Sequence, residues 1–437
     1  MKSIMFLASI VSSASLLAAL PKITANSVTM TQDQSSRLVT ISYTLQDAPA
    51  IITVDIQTNG VSIGADKFQY VGGDVNMKIQ PGQRQITWQP AVEWPSAPDR
   101  ITANNVKAIV KAWACDDPPP YLVVDLAIKN AYRFYPCAEA IPGGLTNNVT
   151  YKMDKMVMRR IPAKNVTWRM GAPSIEPQAK WFPNTEYPHY VRLTSDYYMG
   201  VFEVTQKQLS HFIPENSTFI SNGPNVKGDT LPTTYLTIWD IRGFCSGNSS
   251  KDGKIGYANT MSEDLDDAYA NSPIGILRTL TGLAFNLPTD AQWEYACRAG
   301  TSTGLNNGQE ATAFDKLQDI AWYNGNATSI NIVGTKQPNN WGLYDMHGNV
   351  EEVCLDRYTE GDNYIATFGE NYQPGDVVVN PRVGGGTATD PRVIRGGSYG
   401  SKNDSVGYYR SACRKTPYQA NYMNYYRGFR LVCPTTF

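Results

Sequence analysis

Seven cysteines and a dense run of tyrosines are the residues of this 437-residue chain with the most chemistry to offer. The cysteines are Cys115, Cys137, Cys245, Cys297, Cys354, Cys413 and Cys433. They form no Cys-x-x-Cys pair, so zinc ribbons and thioredoxin-type redox motifs have no support. Gly396-Gly397-Ser398-Tyr399-Gly400 spells the Gly-x-Ser-x-Gly of a hydrolase nucleophile, but no histidine follows it to act as base. Gly384-Gly385-Gly386 lacks the spacing of a phosphate cradle and reads as a loop. The tyrosines are more telling. Tyr399, Tyr408, Tyr409, Tyr418, Tyr422, Tyr425 and Tyr426 are interleaved with Ser, Asn, Gly and Asp, where the chain's own average gives roughly two tyrosines in a window of that length. Tyrosine offers a large amphipathic contact at low entropic cost, and small polar neighbours adapt their hydrogen bonds, as in antibody loops. Packing of these rings in a core is the plainer alternative. The segment predicts a ligand surface of Tyr399, Ser401, Tyr408, Tyr409, Arg410, Tyr422, Tyr425 and Tyr426, facing a peptide, protein or glycan.

Charge narrows the partners. There are 38 basic and 39 acidic side chains and a formal charge of −1. Nucleic-acid binding needs clustered Lys and Arg, and no such footprint exists here. The N-terminus places Lys2 before an apolar run from Ile4 to Leu20 that ends in small residues, the pattern of a secretory signal over residues 1–20. Serines interrupt the run, which is short for a spanning helix, and no later segment suits a bilayer. A secreted or periplasmic, cell-envelope location is expected, where spread cysteines form disulfides.

The elements that would carry these residues fall into two styles. In 21–120, Val39, Ile41, Tyr43 and Leu45 alternate with polar residues, Ile52, Val54 and Ile56 repeat the pattern, and Asn59-Gly60 supplies a hairpin turn. An antiparallel β-sandwich is predicted there. Pro118-Pro119-Pro120 ends it, and 121–153 reads as a linker with some strand character. In 154–437, Thr205 and Gln208 make a capping box, Ser272-Pro273 starts a helix that Gly282 closes, and Thr289 caps another that ends at Gly300. The fold class is α+β, loop-rich, with no internal repeat.

Five segments in order carry a family resemblance. They run Met199-Gly200-Val201-Phe202-Glu203-Val204-Thr205, then Leu287-Pro288-Thr289-Asp290-Ala291-Gln292-Trp293-Glu294-Tyr295, then Gly342-Leu343-Tyr344-Asp345-Met346-His347-Gly348-Asn349-Val350, then Arg395-Gly396-Gly397-Ser398, and finally Gly428-Phe429-Arg430. Together they resemble the formylglycine-generating enzyme, or sulfatase-modifying factor, family across about residues 155–433. The resemblance implies a compact variant of the C-type lectin fold, with the sandwich in front resembling an extra domain of exported bacterial members. It also implies oxidation of a substrate cysteine within Cys-x-Pro-x-Arg, using oxygen and a copper held by two cysteines, since soft thiolates select Cu(I). By the family's spacing those two positions are Ser401 and Val406, so copper and cysteine oxidation are not expected here. An iron-dependent branch uses His-x-x-x-His-x-Glu, and His189, His211 and His347 do not match it.

The same resemblance implies a structural calcium site of Asp345, the carbonyls of Gly348 and Val350, and Glu352, a donor set of the hard oxygens calcium prefers. The family places Trp on both sides of that Glu, whereas Glu351 and Val353 stand here. It further implies disulfides, with Cys245–Cys433 and Cys297–Cys413 as the candidate pairs. The family's C-terminal cysteines sit two residues earlier than Cys413 and Cys433, a shift that keeps the same face of a strand. Cys115–Cys137 would staple the sandwich to the linker, leaving Cys354 as a buried spare thiol. The reading that follows is an exported binding protein on an enzyme's scaffold; an active family oxidoreductase and a structural envelope protein are the alternatives.

Overall fold

The computed structural model describes residues 19–94, 96–97, 100–102, 104–172, 176, 185–213, 226–242, 270–359, 361–369, 372–384, 390–401, 405–415 and 424–437. It is rich in short strands, with few and short helices. The chain divides into one unit of Met1–Ile63 and Val71–Ala114 and another of Gly64–Tyr70 and Cys115–Phe437. Among the described residues, no helix is long and apolar enough to cross a membrane. Most of the segment read as a secretory signal lies outside the described residues.

The first unit holds two antiparallel sheets. In one, Val39–Gln46 lies between Thr29–Gln32 and Gly82–Trp88. Its even alternation of buried and half-buried positions puts Val39, Ile41, Tyr43 and Leu45 inside, as the period-2 pattern dictates. In the other, Ala50–Thr58 pairs along its length with Lys107–Ala114. Asn59 and Gly60 both take positive φ, 50° and 79°, which is what a two-residue hairpin turn into Val61–Ser62 requires.

The second unit is organised by a five-stranded antiparallel sheet in the order Tyr132–Tyr135, Tyr121–Asp125, Lys155–Ile161, Tyr197–Gly200, Val432–Pro434. Residues 121–153, read from sequence as a linker, thus supply two of its strands. Tyr121–Asp125 is paired on both edges, with Tyr132–Tyr135 and Lys155–Ile161, and its Leu122, Val123 and Val124 are all buried. The last strand pairs with Tyr197–Gly200, tying the C-terminus to the middle of the chain. Three helices begin where their caps predict. Thr205 and Thr289 each close a reciprocal capping box, with Gln208 and Gln292 respectively, and Ser272 caps Pro273–Thr281, which Gly282 ends in the left-handed conformation. Asp290–Arg298 stops one residue earlier than expected, because Ala299 itself turns left-handed ahead of Gly300. Trp293 of that helix is fully buried among Met199, Leu343, Met346 and Val432.

Candidate functional site

The region that the motifs point to is built on one buried strand, Glu351–Arg357, antiparallel to Arg392–Arg395 and parallel to Arg427–Gly428. Neighbouring side chains of a strand face opposite ways, so Glu351 and Glu352 meet different partners. Both oxygens of Glu352 accept from Arg430, at 2.8–3.1 Å, and Oε2 also accepts from Trp293 Nε1 at 2.7 Å. Arg430 in turn donates to the carbonyls of Gly200, Val201 and Tyr344. Glu351, which stands where a Trp is expected, accepts from Lys415 Nζ at 2.5 Å and from Arg427 at 3.1–3.2 Å. Against the upward push of burial, those two cations hold the Glu351 carboxyl below its ordinary range. Arg395 bonds Asp290 and Glu294, Arg414 pairs with Asp290, and Arg298 pairs with Glu294. Glu176 and Glu186 share Arg410, and burial pushes the Glu186 carboxyl up to about 7.

The two positions expected from the family's spacing to hold copper thiolates are a serine and a valine, both buried. Ser401 is buried and its Oγ accepts from Ser398 N at 3.0 Å, while Val406 packs with Leu305, Tyr323 and Tyr409. Four of the cysteines are deeply buried. Burial pushes the Cys297, Cys413 and Cys433 thiols up to about 12 and Cys354 well above its ordinary value. Cys297 does not pair with Cys413. Its Sγ lies 3.4 Å from Ser411 Oγ, two residues earlier, and Cys413 sits in a turn, where a shift of two does not keep one face as it does in a strand. Cys137 also remains a thiol, partly buried against the cluster of Val123 and Tyr135, so the Cys115–Cys137 bridge does not form. Cys245 lies outside the described residues, and the expected Cys245–Cys433 pair with it.

Of the expected calcium donors, Asp345 fits a cation and Glu352 does not. Asp345 Oδ2 accepts from Gly334 N at 2.6 Å, but its Oδ1 is buried with no hydrogen-bond partner. Burial pushes this carboxyl up to about 6, against the Gly334 amide and the charge of Arg430. Glu352 is already matched by Arg430 and Trp293. Gly348, with φ 79°, leaves no room for a side chain: a Cβ there would lie 2.2 Å from the Trp322 carbonyl oxygen. Val350 gives its N–H to Glu203 at 3.0 Å, and Glu203 also accepts from Asn349 Nδ2 at 2.6 Å. Burial, then Asp345 and Glu352, drive the Glu203 carboxyl far above its ordinary range. Sequence reading passed over Glu203, although an acid within an otherwise apolar segment was the available signal. Among the described residues, no three His, Cys, Asp or Glu side chains converge as a metal site.

The expected ligand surface is split. Arg410 and Tyr409 are fully buried, the first by its two glutamates and the second by an O–H donated to Ser398 O at 2.8 Å, so neither faces a ligand. Ser401 is buried too, Tyr408 is half-buried against the Tyr409 cluster, and Tyr422 lies outside the described residues. Tyr399, Tyr425 and Tyr426 do come together. Tyr425 and Tyr426 are 36% and 38% exposed, and the Tyr399 and Tyr426 rings meet edge to face at 5.2 Å. Tyr235, which sequence reading missed because it lies far upstream, stacks on Tyr425 at 4.4 Å and 14°. It holds a left-handed φ of 66°, an uncommon conformation for an aromatic residue. Gly400 makes the edge contact possible, since a Cβ there would stand 2.0 Å from the Tyr426 ring. The backbone fixes the group: Tyr399 N donates to Asn349 O, Glu351 N to Tyr426 O, and Tyr235 N to Asn424 O.

With this geometry in place, residues 150–434 match the family described as the sulfatase-modifying factor enzyme 1-like domain. The chain belongs to that family. The chaperone protein LppX of Paenibacillus barcinonensis is 30% identical over 188 residues, covering 37% of this chain and 62% of that protein. The formylglycine-generating enzyme of Streptomyces coelicolor is 32% identical over 141 residues, covering 30% of this chain and 41% of the enzyme. That of Mus musculus is 31% identical over 138 residues, 29% of this chain and 34% of the enzyme. The chain thus spans less than two thirds of the length of each relative. Among solved structures, Treponema denticola variable protein 1 aligns with a TM-score of 0.44 at 23% identity, over 64% of this chain and 95% of that one. PvdO from Pseudomonas aeruginosa aligns with a TM-score of 0.42 at 17% identity, over 64% and 94%.

The sulfatase-modifying-factor segments prove to be the ionic framework itself. Glu203, Asp290, Trp293, Glu294, Arg395 and Arg430 all lie in the five motifs, all are buried, and each bonds another element. Replacing Arg430 by Ala leaves Glu352 buried without its counter-charge and frees three carbonyls. A loss of about 3–5 kcal/mol is expected, read as a lower denaturation midpoint, with Arg430→Lys falling between the two because it keeps charge without the fork.

Proposed function

We propose that this sulfatase-modifying-factor family member is an exported binding protein that offers Tyr235, Tyr399, Tyr425 and Tyr426 to a protein or peptide partner, without oxidising a substrate cysteine. The two tyrosine pairs carry the reading. Each presents an exposed or half-exposed ring on a backbone held by Asn349, Glu351 and Asn424, so the partner meets rigid aromatic surface with little left to order. The relative named a chaperone supports a protein partner. Ser401 and Val406 support the loss of copper chemistry, because neither a hydroxyl nor an isopropyl group replaces a thiolate for Cu(I). In this reading the second unit is the lectin-like variant the resemblance implies, and the two sheets of the first unit form a sandwich. Retained cysteine oxidation is the competing function and a structural envelope role the other.

One assay separates the enzyme from the binder. A Cys-x-Pro-x-Arg peptide incubated with the protein, copper and a reductant should keep its mass, while an active family enzyme run beside it converts the peptide to formylglycine. Conversion by this protein would reject the binding reading. For the surface, a displayed peptide library should enrich on the wild-type protein, and the winners should bind a Tyr425→Ser/Tyr426→Ser variant at least about tenfold more weakly, as aromatic hot spots do. Equal retention by the variant, or no enrichment on the wild-type protein, would count against a peptide partner.

We also propose calcium at Asp345, with the Gly348 and Val350 carbonyls as further oxygens and Glu352 left to Arg430. Calcium should then raise the melting midpoint and a chelator lower it, and Asp345→Asn should remove both effects. An unchanged midpoint in calcium would dismiss the site.

A further inference from the structure

The second unit also carries a three-stranded sheet in the order Thr167–Met170, His189–Arg192, Val377–Val379, the first pair antiparallel and the second parallel. Alternation along each strand gives it two unlike faces. Met170 and Val191 face the core, with Trp168 packed against it. The other face is exposed at all six positions, Thr167, Arg169, Tyr190, Arg192, Val377 and Val379. The register sets these in two rows. Arg169 lies opposite Tyr190 and Tyr190 opposite Val377, while Thr167 lies opposite Arg192 and Arg192 opposite Val379.

Charge and main chain both point outward here. Tyr190, Val377 and Val379 are 46%, 39% and 44% exposed, so an aromatic ring and two valines adjoin in water. Between and beside them, the guanidiniums of Arg169 and Arg192 form no hydrogen bond or ion pair with any described residue. Asp376, the acid next to the last strand, accepts from Gln373 N at 2.8 Å. Among the described residues, no further strand pairs with Val377–Val379. Asn380 N donates to Arg192 O at 2.9 Å, and main-chain groups alternate sides along a strand. Val378 therefore turns the same way as Asn380, and Val377 and Val379 turn their N–H and C=O to the free edge.

We infer that this edge takes up an extended acidic segment of a partner protein as a fourth strand, with an apolar side chain beside Val377 and a glutamate beside Val379. Main-chain bonds to the two valines hold such a strand, and its alternate side chains are read by the face it joins. An added strand lies about 4.8 Å from Val379 and about 10 Å from Arg192, a gap that a glutamate and the long Arg192 side chain close between them. Arg169 adds a second positive charge to the same face, so an acidic segment is favoured and a basic one repelled. The edge shares no residue with the tyrosine surface and does not depend on it.

The test is fluorescence anisotropy of the whole protein with a labelled, capped octapeptide. Threonine fills its odd positions, and valine and glutamate alternate at the even ones, so that one face presents both. Saturable binding is expected, and lysine in place of glutamate should weaken it by at least about tenfold, attraction having become repulsion. Arg169→Gln/Arg192→Gln should weaken the glutamate peptide about fivefold, as the loss of two surface charge pairs would. Val379→Pro deletes an N–H that the sheet does not use, so it should keep the fold by circular dichroism and still weaken the peptide. The arginine pair is exposed, so its variant decides the matter even where the proline variant loses its fold. Tyr425→Ser/Tyr426→Ser should bind the peptide as the wild type does. The inference is overturned by absence of saturable binding, by equal binding of the two peptides, or by an arginine variant or a folded proline variant that binds like the wild type. Loss of binding in the tyrosine variant would give the peptide to the other surface, and heparin binding tighter than the peptide would give the arginines to a sulfated glycan; either result also overturns it.

Discussion

A carboxylate taken out of water must meet a cation or a set of donors, and this requirement arranges the second unit. Glu203, Asp290, Glu294, Glu351 and Glu352 are all essentially inaccessible, and an unmatched charge in such a place costs several kcal/mol. Each match ties distant parts of the chain together. Arg430 joins the C-terminal segment to Glu352 and, through three carbonyls, to the end of the strand Tyr197–Gly200 and the loop at Tyr344. Arg395 ties its strand to the helix that begins at Asp290. Loops make up much of this unit, and loops have few backbone ladders of their own. Bonds of this kind do for them what a continuous sheet does elsewhere. They act through geometry as much as energy, because a guanidinium fork accepts its partner in few orientations.

This explains why much of the fold was legible in the sequence and the site only partly so. Caps are local signals, and Thr205, Ser272 and Thr289 announced three helices within four residues each. The alternation of Val39 through Leu45 is equally local and appears unchanged in the burial of that strand. Partners across long separations leave no such mark. Arg410 reads as an exposed residue among tyrosines until Glu176 and Glu186, more than two hundred positions upstream, are brought against it. Tyr235 escaped for the same reason. In 121–153 the strand character was visible, but not that Tyr121–Asp125 pairs onward with Lys155–Ile161 and so joins the segment to the main sheet.

The cysteines show how a family pattern can mislead where the local backbone departs from it. Moving a residue by two preserves its face only in an extended strand. Around Ser411 and Cys413 the chain turns, so the thiol of Cys297 looks at a hydroxyl and Cys413 is buried elsewhere. Loss of that crosslink is tolerable in a unit held by ion pairs from Arg395, Arg410 and Arg414, all of which flank the same turn.

The separation between framework and surface has a consequence for how this scaffold can change. Tyr425 and Tyr426 project from a backbone fixed by main-chain bonds to Tyr235 and Glu351, and Tyr399 is held through the Asn349 carbonyl. Side chains at these positions can be exchanged without touching a buried charge, because the bonds that place them belong to the backbone. Gly400 is the exception: the Tyr426 ring occupies the space a side chain would need, so any larger residue there moves the ring. Ser401 and Val406 sit between these regimes. They are buried, yet neither belongs to an ion pair, so an exchange of either side chain leaves the ionic framework intact. A scaffold so divided can exchange residues at two buried positions, keep its fold, and leave its exposed aromatic positions open to change.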